Sequence, residues 1–312
     1  MARRQYKSIY SLDVCPERDK IREDYWEFIT RTSGKLDEPK RQLAGKMDLL
    51  QRFTSNPVRA RKPLLDPSVF YRNYVDLKDD PDTIDRKTLL LMALYKFARH
   101  EWMGIEACWK AGPDMAHAKT LQDKIDRHHL AEEFHHVRMF DEIFRTFHLD
   151  DVKWVPAGGL TKIIYWFAPR VPGSIVDPPA MTSELMGIMF YRQVCRVLDE
   201  ILEDEPEAKQ RLRAIYDEII VDELSHVGQR RNPITNLGLR IARWQLKPMT
   251  RVFFKDCPEG QYLFNQEQMV EEGLAFDYSV VPDSIMKRIW VPEFFHLGGT
   301  VARSVAQASG AV

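Results

Sequence analysis

Glu132-Glu133-Phe134-His135-His136-Val137 decides how this chain is read, because it returns later as Asp222-Glu223-Leu224-Ser225-His226-Val227. Aligned, both stretches read acid, Glu, apolar, any residue, His, Val. Three residues complete most of a 3.6-residue turn, so a Glu and a His at that spacing project from one face of an α-helix. Such a pair offers a carboxylate oxygen and an imidazole nitrogen to one metal ion. A lone Glu-x-x-His arises by chance roughly once in a chain of this length. Two copies with matching flanks carry far more information.

Hydrophobic spacing places both copies on long helices. A helix is expected from Asp82 or Thr83 to about Lys110, with Leu90, Leu94, Phe97, Glu101, Gly104, Ile105 and Cys108 on one stripe. Ala111-Gly112-Pro113-Asp114 turns the chain into a second helix, which carries the first copy to about Phe147. Residues 148–179, rich in Pro, Gly and aromatics, read as a long connection. A third helix runs to about Asp204 with Met181, Glu184, Ile188, Tyr191, Cys195, Leu198 and Leu202 on its stripe, and a fourth carries the second copy to Arg231, stopped by Asn232-Pro233. In an antiparallel pair, residues equidistant from the turn share a level. The point midway between Glu101 and Glu133 is His117, and that between Glu184 and Glu223 falls at Glu203-Asp204, so each turn sets two carboxylates side by side.

The sequence therefore predicts an all-α fold, organised as one domain. A proline-broken N-terminal arm (1–82) has short helical patterns at Asp19 to Thr30 and Lys40 to Phe53, the four-helix core spans 83–232, and a C-terminal extension (233–312) begins with a short amphipathic helix from Leu237 to Leu246. The end, Ala306 to Val312, is small and polar enough to fray. With 44% hydrophobic and 29% charged residues among 312, the composition suits a globular protein, and a formal net charge of −1 gives no global case for nucleic acid. Cys15, Cys108, Cys195 and Cys257 form no Cys-x-x-Cys pair, which argues against a zinc knuckle or a disulfide framework and for a reducing cytoplasm. No apolar run approaches the roughly 20 residues of a membrane span.

Two registers are open within the doubled motif. Periodicity favours Glu132 with His135, which continue the stripe Leu121, Ile125, His128, Met139, Ile143; the repeat favours Glu133 with His136, which match Glu223 and His226. The repeat is the better guide, because Glu132 and Asp222 can then bind the distal ring nitrogen of a ligand histidine. His129 lies one turn before Glu133, as a third histidine ligand or as a residue outside the ligand set.

Glu101, then Glu133 and His136, then Glu184, then Glu223 and His226 thus stand on successive helices. In that order the chain resembles the ferritin-like di-iron carboxylate superfamily, in which two helices each supply a Glu and the other two a Glu-x-x-His. Among oxygenases of that superfamily it looks most similar to the p-aminobenzoate N-oxygenase family. That family carries a His-x-x-x-Glu-x-x-His on its last helix; here the corresponding position is Ile219, and the pattern falls on the second helix at His129.

The resemblance implies a ferritin-like four-helix bundle with a long crossover, holding two iron ions, or a manganese and an iron, with O2 as co-substrate. Four carboxylates would neutralise two divalent ions, and oxygen-rich ligation with imidazole suits iron or manganese better than copper. The expected function is that of a monooxygenase-type oxidoreductase, which hydroxylates or otherwise oxidises a mainly apolar small molecule. An external electron donor and a homodimer are implied with it. N-oxygenation of an aryl amine and iron handling or peroxide scavenging are the alternatives. Leu94, Phe97, Ile188 and Tyr191 would line an apolar pocket, Tyr191 is a candidate redox or hydrogen-bonding residue, and the aromatic crossover from Trp154 to Phe167 is a candidate cover.

Overall fold

Asp85 ends an extended segment and accepts a hydrogen bond from the Thr88 amide at 3.0 Å, which starts the first long helix, α4 (Arg86–Ala111). This is a few residues later than the sequence suggested, because Pro81–Thr83 forms a separate 3₁₀ turn. The computed structural model describes residues 6–12, 17–33, 44–112 and 117–297. Cys15, Pro113-Asp114, residues 40–43 and the Ala306–Val312 end lie outside them.

Every element among the described residues is helical, apart from one isolated bridge between Tyr6 and His296. Before α4 come α1 (Arg18–Ser33), α2 (Ala44–Ser55) and α3 (Pro67–Asn73), and α1 and α2 pack on α5 (Leu121–Thr146). Thr120 and Asp123 form a reciprocal capping box at the start of α5. Beyond the crossover lie α7 (Gly173–Ile201) and α8 (Pro206–Arg231). α4 packs on α5, α7 on α8, α5 on α8 and α4 on α7, so the four long helices close on one another. Their inward stripes meet in one apolar core, where Leu94, Phe140, Ile143, Val194, Ile215 and Ile219 are buried.

Two expectations about helix extent are corrected. The connection 148–179 is largely helical: α6 (Gly159–Phe167) occupies its middle, and α7 begins at Gly173 with Pro178 and Pro179 inside it. Tertiary packing outweighs the two missing amide donors there, since the buried Pro178 ring seats against Gly238, where a Cβ would lie 3.2 Å from its Cγ. The amphipathic segment after Pro233 is also far longer than Leu237 to Leu246. α9 (Asn236–Asp256) continues through Pro248 along the outside of α7, because Leu239, Ala242, Leu246 and Phe254 keep one face buried. Short helices α10 (Gln266–Leu274) and α11 (Asp283–Met286) follow α9 among the described residues.

A fully buried ion pair, Lys96 Nζ to Glu259 at 2.6 Å, ties α4 to the 3₁₀ turn after α9. Beside it, Arg99 and His100 of α4 both reach Asp256, at 3.1 and 2.8 Å.

Candidate metal centre

Glu101, Glu133, His136 and Glu223 converge in one cluster and His129, Glu133, Glu184 and His226 in a second, with the donor atoms of each within 4.8 Å of one another. Glu133 belongs to both. Its Oε2 lies 3.7 Å from His136 Nδ1 and its Oε1 lies 3.1 Å from His226 Nδ1, so one carboxylate faces two histidines of different helices. Glu223 Oε1 stands 3.5 Å from His136 Nδ1, and Glu184 stands 3.3 Å from His129 Nε2 and 3.8 Å from His226 Nδ1. All six residues that the sequence places on the four helices are brought together.

His129, left open by the sequence, stands inside the second cluster, its ring stacked on that of His226 with centroids 3.8 Å apart. Ile219, the position at which the resembled family would carry a histidine, is buried in the apolar core. Of the two registers, Glu133 with His136 faces the clusters. His135 is buried outside them with neither ring nitrogen hydrogen-bonded, and burial, together with the charge of His136, lowers its pKa to about 3.

Glu132 and Asp222 take the outer positions, and they do so crosswise. His226 Nε2 lies 2.9 Å from Glu132 Oε2, and His136 Nε2 lies 3.0 Å from Asp222 Oδ2. Each acid thereby takes the distal nitrogen of the other helix's histidine and leaves Nδ1 as the inward donor. Lys46 of α2 lies between these acids, 2.6 Å from Glu132 and in direct contact with Asp222. His128 Nε2 adds a third partner to Glu132 at 3.0 Å.

The charges follow from this arrangement. Burial opposes ionisation of Glu132, but the charges of His128 and Lys46 hold its carboxyl well below the usual range. Against the same penalty, the adjacent imidazoles of His136 and His226 hold Glu133 down. Burial and the Glu133 charge push Glu101 up to about 8 and lift Glu223 well above the carboxylate range. His136 and His226 are raised despite burial, by Asp222 and Glu133 on one side and by Glu132 and Glu133 on the other. Without metal, the centre stores protons that a bound cation would displace.

The donor set fits a pair of divalent cations. Glu101 Oε2, Glu133 Oε1, and Nδ1 of both His136 and His226 are buried and lack a hydrogen-bond partner, a costly state that a cation among them would relieve. Compared with protein-family models, curated proteins and solved structures, the chain matches none. What the centre can do therefore rests on its own chemistry.

Tyr191 donates to Glu101 Oε1 at 2.7 Å and so touches a candidate ligand directly. Phe97 packs against Tyr191, Phe190 and Phe140, and Leu94 and Ile188 are buried beside them, so one side of the centre is dry. Gly187 of α7 lies between them: a Cβ there would be in ordinary contact with Phe97 Cζ at 3.4 Å and Glu223 Oε2 at 3.7 Å. The aromatic crossover divides in two. Trp154 stacks on Tyr95 with centroids 5.3 Å apart and belongs to the packing, whereas α6 lies on α4 with Tyr165 Oη 3.0 Å from His100 Nδ1.

Lys46, His128 and Arg230, whose Nε lies 4.0 Å from Glu184, escaped the sequence reading. Lys46 left no signal, because nothing local connects α2 to the motifs. His128 did leave one: His128-x-x-x-Glu132 repeats the spacing of His129-x-x-x-Glu133.

Proposed function

We propose that the chain is a ferritin-like, non-haem di-iron oxidoreductase of the monooxygenase type, acting on a mainly apolar small organic substrate with O2 as co-substrate. The observation that carries this reading is the pair of buried four-donor clusters sharing Glu133, with unpartnered donor atoms on each side. Glu101, Glu133, His136 and Glu223 would hold one ion and His129, Glu133, Glu184 and His226 the other, as iron with iron or manganese with iron. When bound, the pair supplies the electrons that reduce O2, and an external donor restores them.

The protein's own part is positioning. Glu132 and Asp222 fix the histidine rings, Lys46 sets one positive charge between those two acids, and Tyr191 orients Glu101 by donating a hydrogen bond to Oε1. Leu94 and Ile188 keep water from that side, and the partly exposed Phe97 beside them is apolar. The three-histidine donor set favours one second reading, N-oxygenation of an aryl amine, since the resembled N-oxygenases also carry a third histidine.

Anaerobic reconstitution with Fe(II), followed by metal analysis, tests the centre: two ions per chain are expected, whereas a single tight zinc or no retained metal refutes it. Reaction of the loaded protein with 18O2 and a panel of alkyl and aryl-amine substrates tests the reaction, with label in the organic product as the expected result. Steady deposition of ferric iron without organic oxidation would assign iron handling instead.

A further inference from the structure

α6 and α9 expose large apolar side chains that no element among the described residues covers. On α9, Leu237, Ile241 and Trp244 recur at helical spacing, and Leu237 is 69% and Trp244 75% exposed. On α6, Leu160, Ile163 and Trp166 are each more than half exposed. Beside the apolar row of α9 run Arg240, Lys247, Arg251 and Lys255, all exposed and none with an ion pair or side-chain hydrogen bond among the described residues. The only acid on α9 is Asp256, already engaged by Arg99 and His100, and residues 159–173 contain no acid at all.

The two helices border one seam. Tyr165 of α6 and Phe253 of α9 both meet His100 of α4, at 3.0 Å between polar atoms and 5.3 Å between ring centroids. Phe253 also packs on Phe97 and Phe190, which close α4 against α7.

We infer that α6 and α9 form a surface that binds anionic lipid membranes peripherally. An apolar row with tryptophan, flanked by unpaired basic side chains, matches the layering of a bilayer surface: aliphatic groups below the headgroups, indole among them, and Lys and Arg against lipid phosphates. A second copy fits this face poorly, because a two-fold contact would set each row of unpaired cations against itself. No helix among the described residues is long and apolar enough to cross a membrane, so the contact is one of lying on the bilayer. The inference does not depend on the metal reading.

Flotation of the full chain with vesicles of phosphatidylcholine alone, or of phosphatidylcholine with phosphatidylglycerol, tests it. Binding is expected only with the anionic vesicles and should weaken as salt is raised. Reversing three charges together (Arg240→Glu, Lys247→Glu, Arg251→Glu) should lower partitioning on the order of 100-fold, at roughly fivefold or more per basic residue. Trp244→Ser with Leu237→Ser should lower it as well. All five positions are exposed, and unchanged circular dichroism would show that the variants fold. Failure to float with either vesicle, equal binding by all variants, or self-association abolished by the Trp244 change would overturn the assignment, the last in favour of a protein partner.

Discussion

Replacing Lys46 with Met should damage the protein out of proportion to a single change on an arm helix. The ammonium lies 2.6 Å from Glu132 and touches Asp222, and both carboxylates are almost fully buried. At an effective dielectric of about 20, one unit-charge contact near 3 Å is worth roughly 5 kcal/mol, much of it already spent on desolvation. Removing the cation leaves two buried carboxylates facing each other, and measured losses of one partner from a buried pair run at about 3–5 kcal/mol. For a chain of this size that lowers the melting temperature by roughly 5–8 °C. The two acids also orient His226 and His136, so metal affinity should fall about 10–100-fold. Calorimetry of the metal-free protein and an anaerobic Fe(II) competition titration read the two effects separately. In a Glu132→Gln, Asp222→Asn background the same Lys46→Met change should cost less than about 1 kcal/mol, because no charge is left uncompensated. Equal cost in both backgrounds, or an unchanged melting temperature in the first, would refute the argument.

His136→Ala should abolish retention of at least one metal ion while His135→Ala keeps both, as read by metal analysis after reconstitution; the reverse pattern would favour the alternative register. Lys96→Ala should lower stability by about 3–5 kcal/mol by stranding the buried Glu259 carboxylate, and Lys96→Met with Glu259→Leu should recover most of it, as denaturant melts would show. Burial, opposed by Arg145, raises Asp141 to about 6 from 3.8, so the folded state keeps a proton that the unfolded chain loses between those values. Stability should therefore fall by up to about 3 kcal/mol as pH rises from about 4 to 6, and Asp141→Asn should remove that loss, as melts across this range would show.

The core of the candidate site was legible because it is written in local spacing. Glu133 and His136, and Glu223 and His226, are each one helical turn apart, and the midpoint rule carried Glu101 and Glu184 to their levels. Periodicity misled at Glu132 and His135, since α5 buries both stripes: His128, Glu132 and His135 face the packed α2 side while Glu133 and His136 face the centre. The reach of α7 and α9 is not legible in local propensity: Pro178 and Pro248 are helix breakers, yet each lies inside a helix that packs along the other. The place of Lys46 depends on how α2 docks 86 residues from its acid partner, which no local pattern encodes.

The crosswise grip of Glu132 on His226 and of Asp222 on His136 makes each Glu-x-x-His unit depend on the other half of the chain. A fragment ending before Gly173 would keep Glu101, Glu133 and His136 but lose the acid that sets the His136 tautomer. By reciprocity, whatever free energy an ion gains from the docking of the α4–α5 hairpin onto the α7–α8 hairpin, the docking gains from the ion. Bound ions would therefore tighten the docking of the two hairpins, and a chelator should loosen it by as much as parting the hairpins would weaken ion binding.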